Sequence, residues 1–376
     1  MKGNHLISKR SVGFISLTLA GVFALSACAA NEQPASTGTD STASGSPEST
    51  LSGTLSGSGS SAQGSAQEAW YSAFQTANPA VTINYDPAGS GAGRSAFIAG
   101  GVQWAGSDSA LNDEELGGTF AACAPDSKAI DLPTYISPIA VIFNVDGVDE
   151  LNLDAATIAN IFTGTITTWN DPAIAALNPD AKLPSASITA VHRSDDSGTT
   201  KNFADYLGKV APDVWTEKAA DAFPAAYTGG EAAQGTSGVV DAVTNGTNTI
   251  GYADASKAGD LGTAKLKVGE EFVGYTADAA AAVVEESPLV EGRDANDLAI
   301  AVDRKTTDPT HYPLVLVSYS IVCQEYADPA VGELVKAYIG YITSAEGQQV
   351  AAEAAGSAPL SESLSSQVAT ALATVK

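Results

Sequence analysis

Cationic side chains are scarce in this chain of 376 residues. It carries 18 Lys and Arg against 43 Asp and Glu, a formal net charge of −25. A sequence-independent hold on DNA or RNA needs a cationic surface, so nucleic acid is excluded as a partner. The same deficit excludes a polybasic contact with a membrane. Histidine and cysteine are scarcer still, three of each, too few for a His-rich zinc or iron site; neither a metal nor a cofactor is expected. Enzyme signatures are missing as well. No Gly-x-Ser-x-Gly elbow occurs, and Gly208-Lys209, the nearest approach to a nucleotide-binding loop, is followed by Val210. Catalysis is not expected. What is present is a globular composition, 44% apolar, and length for about two domains.

The N-terminus reads as an address. Lys2, Lys9 and Arg10 precede an apolar stretch from Val12 to Ala27 that ends Leu25-Ser26-Ala27-Cys28. A basic start, a short apolar run and small residues make a signal peptide, expected over residues 1–27. Its apolar run is short for a membrane span of about 20 residues. A Cys directly after Leu-Ser-Ala looks like a lipobox, so Cys28 is the expected lipidation site. Cleavage removes three cations and no acid, taking the side-chain charge from −25 to −28. Residues 28–53 hold Ser, Thr, Gly and Pro with almost no large apolar side chain. Such a tract cannot offset its ordering entropy, and reads as a flexible tether. The lipid is then the only membrane contact. Two cysteines remain, Cys123 and Cys323. In the oxidising compartment of an exported protein they are expected to form a disulfide.

From residue 54 strands and helices alternate. Ala66, Ala69, Trp70, Ala73, Phe74 and Ala77 share one helical face. Val81 to Tyr85 alternates as a strand, and Ile139 to Val145 is a continuous apolar run, as in a strand covered on both faces. Asp154 opens a short helix to Phe162, and Asp171-Pro172 opens another. Ser187–His192 and Leu314–Val322 read as strands, and Val331 to Ile342 as an amphipathic helix. The fold class is α/β, with open sheets flanked by helices.

Three segments place Ser, Thr and Gly just before a helix: Gly57-Ser58-Gly59-Ser60-Ser61-Ala62-Gln63, Gly89-Ser90-Gly91-Ala92-Gly93-Arg94, and Arg193-Ser194-Asp195-Asp196-Ser197-Gly198-Thr199-Thr200. Glycine lets the backbone approach a ligand closely. The first N–H groups of a helix lack internal partners, and the helix dipole adds partial positive charge there. Singly, each segment is an N-cap or a turn. Together they would surround a small oxyanion with neutral donors and one guanidinium.

Further motifs accompany them: Phe97-Ile98-Ala99-Gly100, Trp104-Ala105-Gly106-Ser107-Asp108, Ile158-Ala159-Asn160-Ile161-Phe162-Thr163-Gly164, Trp169-Asn170-Asp171-Pro172, Leu177-Asn178-Pro179 and Val191-His192-Arg193. In order and spacing, over about residues 54 to 365, the sequence resembles the phosphate-binding lipoproteins of bacterial phosphate ABC importers, of the periplasmic-binding-protein class. The resemblance implies a two-lobed type II fold with two hinge strands and the ligand in the inter-lobe cleft. Lobe one would take 54–136 and 315–376, and lobe two 137–314. Phosphate would meet the Ser61 hydroxyl and N–H, the Ala62 N–H, Ser90, Arg193, Ser197, Gly198 and Thr199, with Asp195 orienting Arg193. Asp108 would accept the proton that phosphate keeps at neutral pH. Sulfate carries none, and a buried mismatch of this kind is costly. The family often has a bulkier residue at Ala62 and usually Gly at Asp196. The Asp196 carboxylate either weakens the anion site or caps the helix. Gly229-Gly230 and Gly235-Thr236-Ser237-Gly238 resemble family loops, and read equally as turns.

The function implied is an extracytoplasmic high-affinity receptor for inorganic phosphate. It would be a monomer, lipid-anchored to the outer face of a Gram-positive membrane. Its partner would be an ABC permease of two membrane subunits with its ATP-binding subunit. Two rivals keep the fold: a receptor for sulfate or molybdate, which Asp108 opposes, and a phosphate sensor or adhesin without transport.

Overall fold

The computed structural model describes residues 50–376. The signal peptide, Cys28 and the tether as far as residue 49 lie outside the described residues. Within them the strands are β1 (Gly53–Gly59), β2 (Val81–Asp86), β3 (Trp104–Ser107), β4 (Ala129–Asn144), β5 (Leu151–Leu153), β6 (Thr189–Arg193), β7 (Glu231–Ala233), β8 (Thr249–Asp254), β9 (Gly262–Val268), β10 (Glu271–Val273) and β11 (Val315–Cys323). The α-helices are α1 (Gly64–Ala77), α2 (Ser90–Ile98), α3 (Asp113–Leu116), α4 (Ala155–Phe162), α5 (Pro172–Leu177), α6 (Gly198–Val210), α7 (Gly235–Asn245), α8 (Ala277–Glu285), α9 (Pro329–Ile342), α10 (Ala345–Ala355) and α11 (Glu362–Ala373). None of these is long and apolar enough to cross a membrane.

The tether is expected to run through Gly53. Gly53 instead pairs with Val81 as the first residue of β1, because Leu51 already packs on the core. Helix starts follow the sequence closely. The Asp154 carboxylate accepts the Thr157 N–H at 2.7 Å and opens α4. Asp171 caps α5, with Pro172 at its first position. On α1 the expected apolar face is rotated: Ala66, Trp70 and Phe74 are buried together with Gln67, while Ala77 is exposed. Gln67 earns its place inside by donating to Gln63 Oε1 at 2.8 Å and accepting from the Tyr338 hydroxyl at 3.0 Å.

The strands pair in the order β2-β1-β3-β11-β4-β8-β6-β7, and β9 adds to β4, carrying β5 and β10. β1 is parallel to β2 and β3, and β6 is parallel to β7 and β8. β4 joins the two groups. Its first part, to Pro138, pairs with β11; from Ile139 to Asn144 it pairs with β8. Sequence patterning finds only the second part, because Pro133 and Pro138 read as strand breakers. The structure tolerates both. Pro133 stands at a register shift opposite Tyr319, and Pro138 at the change of partner, where missing N–H donors disturb the ladder least.

Cys123 and Cys323 form a disulfide with Cα atoms 5.4 Å apart, closing 200 positions of sequence. It joins the end of β11 to the segment before β4. Replacing both cysteines by Ser is expected to lower unfolding free energy by about 2–5 kcal/mol. A melting temperature unchanged by reductant would contradict this.

Asp131, on β4, is fully buried. Burial first, then the charge of Asp297, pushes its carboxyl up to about 8; the Arg293 guanidinium, 3.1 Å away, opposes the shift. The folded protein therefore holds a proton that the unfolded chain releases above about pH 4. Stability from this group is full below that value and is lost as pH rises toward 8. Asp131→Asn should therefore gain in melting temperature relative to the native chain between pH 5 and pH 8. A difference constant across that range would refute the assignment.

Candidate anion-binding site

Parallel strands place the site. β1, β2, β6 and β7 each run into a helix, so α1, α2, α6 and α7 begin beyond the carboxyl ends of their strands. Crevices at that edge of an open α/β sheet are where ligands bind. The second and third elbows are themselves first turns. Gly89 is the N-cap of α2, and Ser197 is the N-cap of α6, its side chain accepting the Thr200 N–H at 3.2 Å. The cap of α6 is thus Ser197 and not Asp196, which is exposed beside it. The first elbow differs, since Ser61 and Ala62 form the turn before α1.

These elements meet. Ser61 Oγ lies 3.0 Å from Thr236 Oγ1 and accepts the Thr236 N–H at 3.1 Å, joining the starts of α1 and α7. The Gly91 N–H donates to the Asp196 carbonyl at 3.0 Å, joining α2 to the loop before α6. Two glycines permit this approach. Gly89 has φ +107, and a Cβ there would stand 2.7 Å from Asp195 Oδ2; a Cβ on Gly198 would stand 2.7 Å from both Asp108 Cβ and Ser90 Oγ. The Gly235-Thr236 loop, equally readable as a turn in the sequence, is thus part of the same cluster.

Arg193 is the guanidinium of the cluster. Its Nε and Nη2 donate to the two oxygens of Asp195 at 2.7 and 2.5 Å, and the pair leaves Nη1 outside it. Burial works against the charge on Asp195, but the Arg193 bonds and the Gly235 N–H, at 2.9 Å, hold its carboxyl below the usual range. Asp195 is therefore an anion that fixes the fork. Arg94, the other guanidinium near an elbow, is occupied elsewhere: Glu115 at 2.9 Å, Asp221 at 2.6 Å and Ser107 Oγ at 3.1 Å.

Asp108 follows the end of β3 and is 4% exposed. Its Oδ1 accepts from Ser318 Oγ at 2.7 Å and its Oδ2 from Thr199 Oγ1 at 3.2 Å. Its own N–H donates to Ser90 Oγ at 3.1 Å, and Asn202 Nδ2 donates to its carbonyl at 2.7 Å. Burial pushes the carboxyl up, against hydrogen bonds from Ser60, Ser318 and Thr199 and the charge of Arg193. A dry carboxylate with a raised affinity for protons thus sits among donors at helix starts.

Ser61, Ser90, Asp108, Arg193, Asp195, Ser197, Gly198 and Thr199 are all in this cluster. Ala62 is beside it, buried, with its N–H bonded to Ser60 Oγ at 3.1 Å. Sequence reasoning missed Ser60, Thr236 and Ser318. Ser60 and Thr236 carry a signal, since both lie in Gly/Ser segments already noted. Ser318 carries none, because it reaches Asp108 from 210 positions away. Gln63, bonded in turn to Ser318, extends the same buried network.

Comparison with known proteins decides the family. A PBP superfamily domain matches residues 44–346. The phosphate-binding protein PstS 3 of Mycobacterium leprae is 36% identical over 324 residues, 85% of this chain and 86% of its own. PstS 2 of Mycobacterium tuberculosis is 34% identical over 368 residues, covering 96% and 98%. The chain belongs to the PstS family. PstS proteins are binding proteins rather than enzymes, in keeping with a cluster of donors gathered around the carboxylates of Asp108 and Asp195. The fold is of the same kind. The crystal structure of an ancestral soluble variant of the human phosphate-binding protein aligns with a TM-score of 0.68 at 20% identity, over 85% of this chain and 93% of that one.

Proposed function

We propose that this PstS-family chain is an extracytoplasmic receptor that binds inorganic phosphate and delivers it to an ABC permease for import. The observation that carries this reading is Asp108, a buried carboxylate within hydrogen-bond reach of two hydroxyls and beside the α6 start. An unprotonated anion next to it would leave two negative oxygens facing each other. Phosphate brings a proton to place between them. Ser61, the Ala62 turn, Ser90, Ser197, Gly198 and Thr199 supply neutral donors, and Arg193 supplies the charge.

Lobe one is proposed as 54–136 with 315–376 and lobe two as 137–314, with phosphate closing the cleft between them. The change of partner along β4 at Pro138–Ile139 supports that division. Closure would complete the donor set, and the closed form would dock on the permease. Cys28 is the proposed lipid anchor, holding the domain on the outer face of a Gram-positive membrane by its tether. Net charge does not oppose the reading, since it is screened beyond about 8–10 Å and local donors decide.

The test is calorimetric titration of a soluble chain beginning after Cys28, stripped of carried-over ligand, with phosphate and then sulfate. One-to-one phosphate binding without sulfate binding is expected. Binding of neither anion would overturn the receptor reading, and equal binding of both would overturn the role of Asp108.

A further inference from the structure

Arg94 poses a question that the anion site does not answer. It ends the second elbow, yet its guanidinium is taken up by Glu115, Ser107 and Asp221 and is almost wholly buried. On its own side it is held by Glu115 and Ser107. Its remaining partner, Asp221, comes from the segment between α6 and β7. The Asp221 carboxylate makes two contacts on the β1–β3 side: Oδ2 accepts from Arg94 Nη2 at 2.6 Å, and Oδ1 accepts from Ser109 Oγ at 2.9 Å. Its main-chain carbonyl accepts the Ser197 N–H at 2.9 Å. One residue therefore ties the cap of α6 to a guanidinium on α2 and to the residue after Asp108.

We propose that Asp221 is a positioning residue that latches the phosphate site shut, its carboxylate bridging to Arg94 and Ser109 only when the two sides have closed. The proposal rests on the receptor reading above and concerns how long that receptor holds its ligand. Arg94 is the fixed half of the latch, since Glu115 and Ser107 belong to its own side. Asp221 is the travelling half, and its tie to Ser197 makes it move with the α6 elbow. The pair is desolvated in this arrangement, its side chains 5% and 15% exposed. An interaction of this kind is realised in the bound state and lost on opening, so it slows release rather than speeding encounter. It also accounts for a carboxylate placed near an anion site: the Arg94 charge compensates it, and Arg193 keeps Asp195 as its partner, with Nη1 outside that pair.

The experiment is stopped-flow binding and release of inorganic phosphate by the mature chain carrying Asp221→Ala, Arg94→Met, or both. Asp221→Ala is expected to release phosphate about 10–100-fold faster, with the association rate within about threefold of the native value. Melting of the ligand-free protein should be unchanged, because the latch is open there. In the Arg94→Met background the acceleration caused by Asp221→Ala should shrink to a few-fold, which a general packing defect would not do. Tight binding with unchanged release from Asp221→Ala overturns the latch alone, as does an equal acceleration in both backgrounds. No phosphate binding by the unsubstituted chain overturns the receptor reading and the latch together.

Discussion

Arg193→Met is expected to remove phosphate binding at micromolar concentrations. Arg193 is the guanidinium of the anion cluster, and its loss acts twice. The ligand loses a charge-assisted donor from a residue only 3% exposed. Asp195, held below the usual carboxylate range chiefly through Arg193 once burial is overcome, is left as an unpaired anion beside the phosphate. Truncating one member of a buried hydrogen-bonded charge pair costs about 2–5 kcal/mol, or some 30-fold to several thousand-fold in Kd. Arg193→Lys should recover only part of this, because an ammonium cannot serve both oxygens of Asp195 with the same planar fork. Calorimetric titration of both variants checks the order native, Lys, Met. Native-like affinity in Arg193→Met would remove Arg193 from the site.

Asp108→Asn is expected to change which anion binds. A site built around a substrate's own donor rejects an analogue lacking it by about 10⁴–10⁵. With a carboxamide in place, the charge that repels sulfate is gone and a donor is available. The preference for phosphate over sulfate should fall by at least about 10²-fold, mainly through new sulfate binding. The native chain should show the same effect with acid. Burial raises the Asp108 carboxyl, so it takes up a proton at higher pH than an ordinary carboxyl. As pH falls into that region, sulfate binding should rise in the native chain and stay flat in Asp108→Asn. Competition titrations across pH decide it. A variant that excludes sulfate as strictly as the native chain would show that selectivity lies elsewhere.

Much of this arrangement is legible in the sequence because it is written in local chemistry. The elbows announce themselves through Gly, Ser and Thr before an apolar helix, and Asp154, Asp171 and Ser197 are caps at short range. Long-range contributions leave no such mark. Ser318 lies in the middle of a buried strand whose pattern speaks of packing, yet it donates to Asp108. Gln67 sits on a helical face that periodicity assigns to alanines, and is buried because Gln63 and Tyr338 satisfy it. The first part of β4 is hidden by two prolines that a register shift and a change of partner accommodate. Asp221 offers no signal at all; its meaning depends on the approach of Arg94 and Ser109 from more than 110 positions away.

The path of the chain through the sheet has a consequence for how the protein is made. β3 is bordered by β1 on one side and by β11 on the other, and Ser107 pairs with Tyr319. The strands from the second part of β4 to β10 find their partners among themselves. A chain emerging from its N-terminus can therefore complete the central stretch while β3 still has an open edge. That edge closes only when residues 315–323 arrive, and such late, distant pairings are slow and exposed to aggregation. Chains cut short before β11 should accumulate as insoluble material, whereas cuts after Ala355 spare every strand of the sheet.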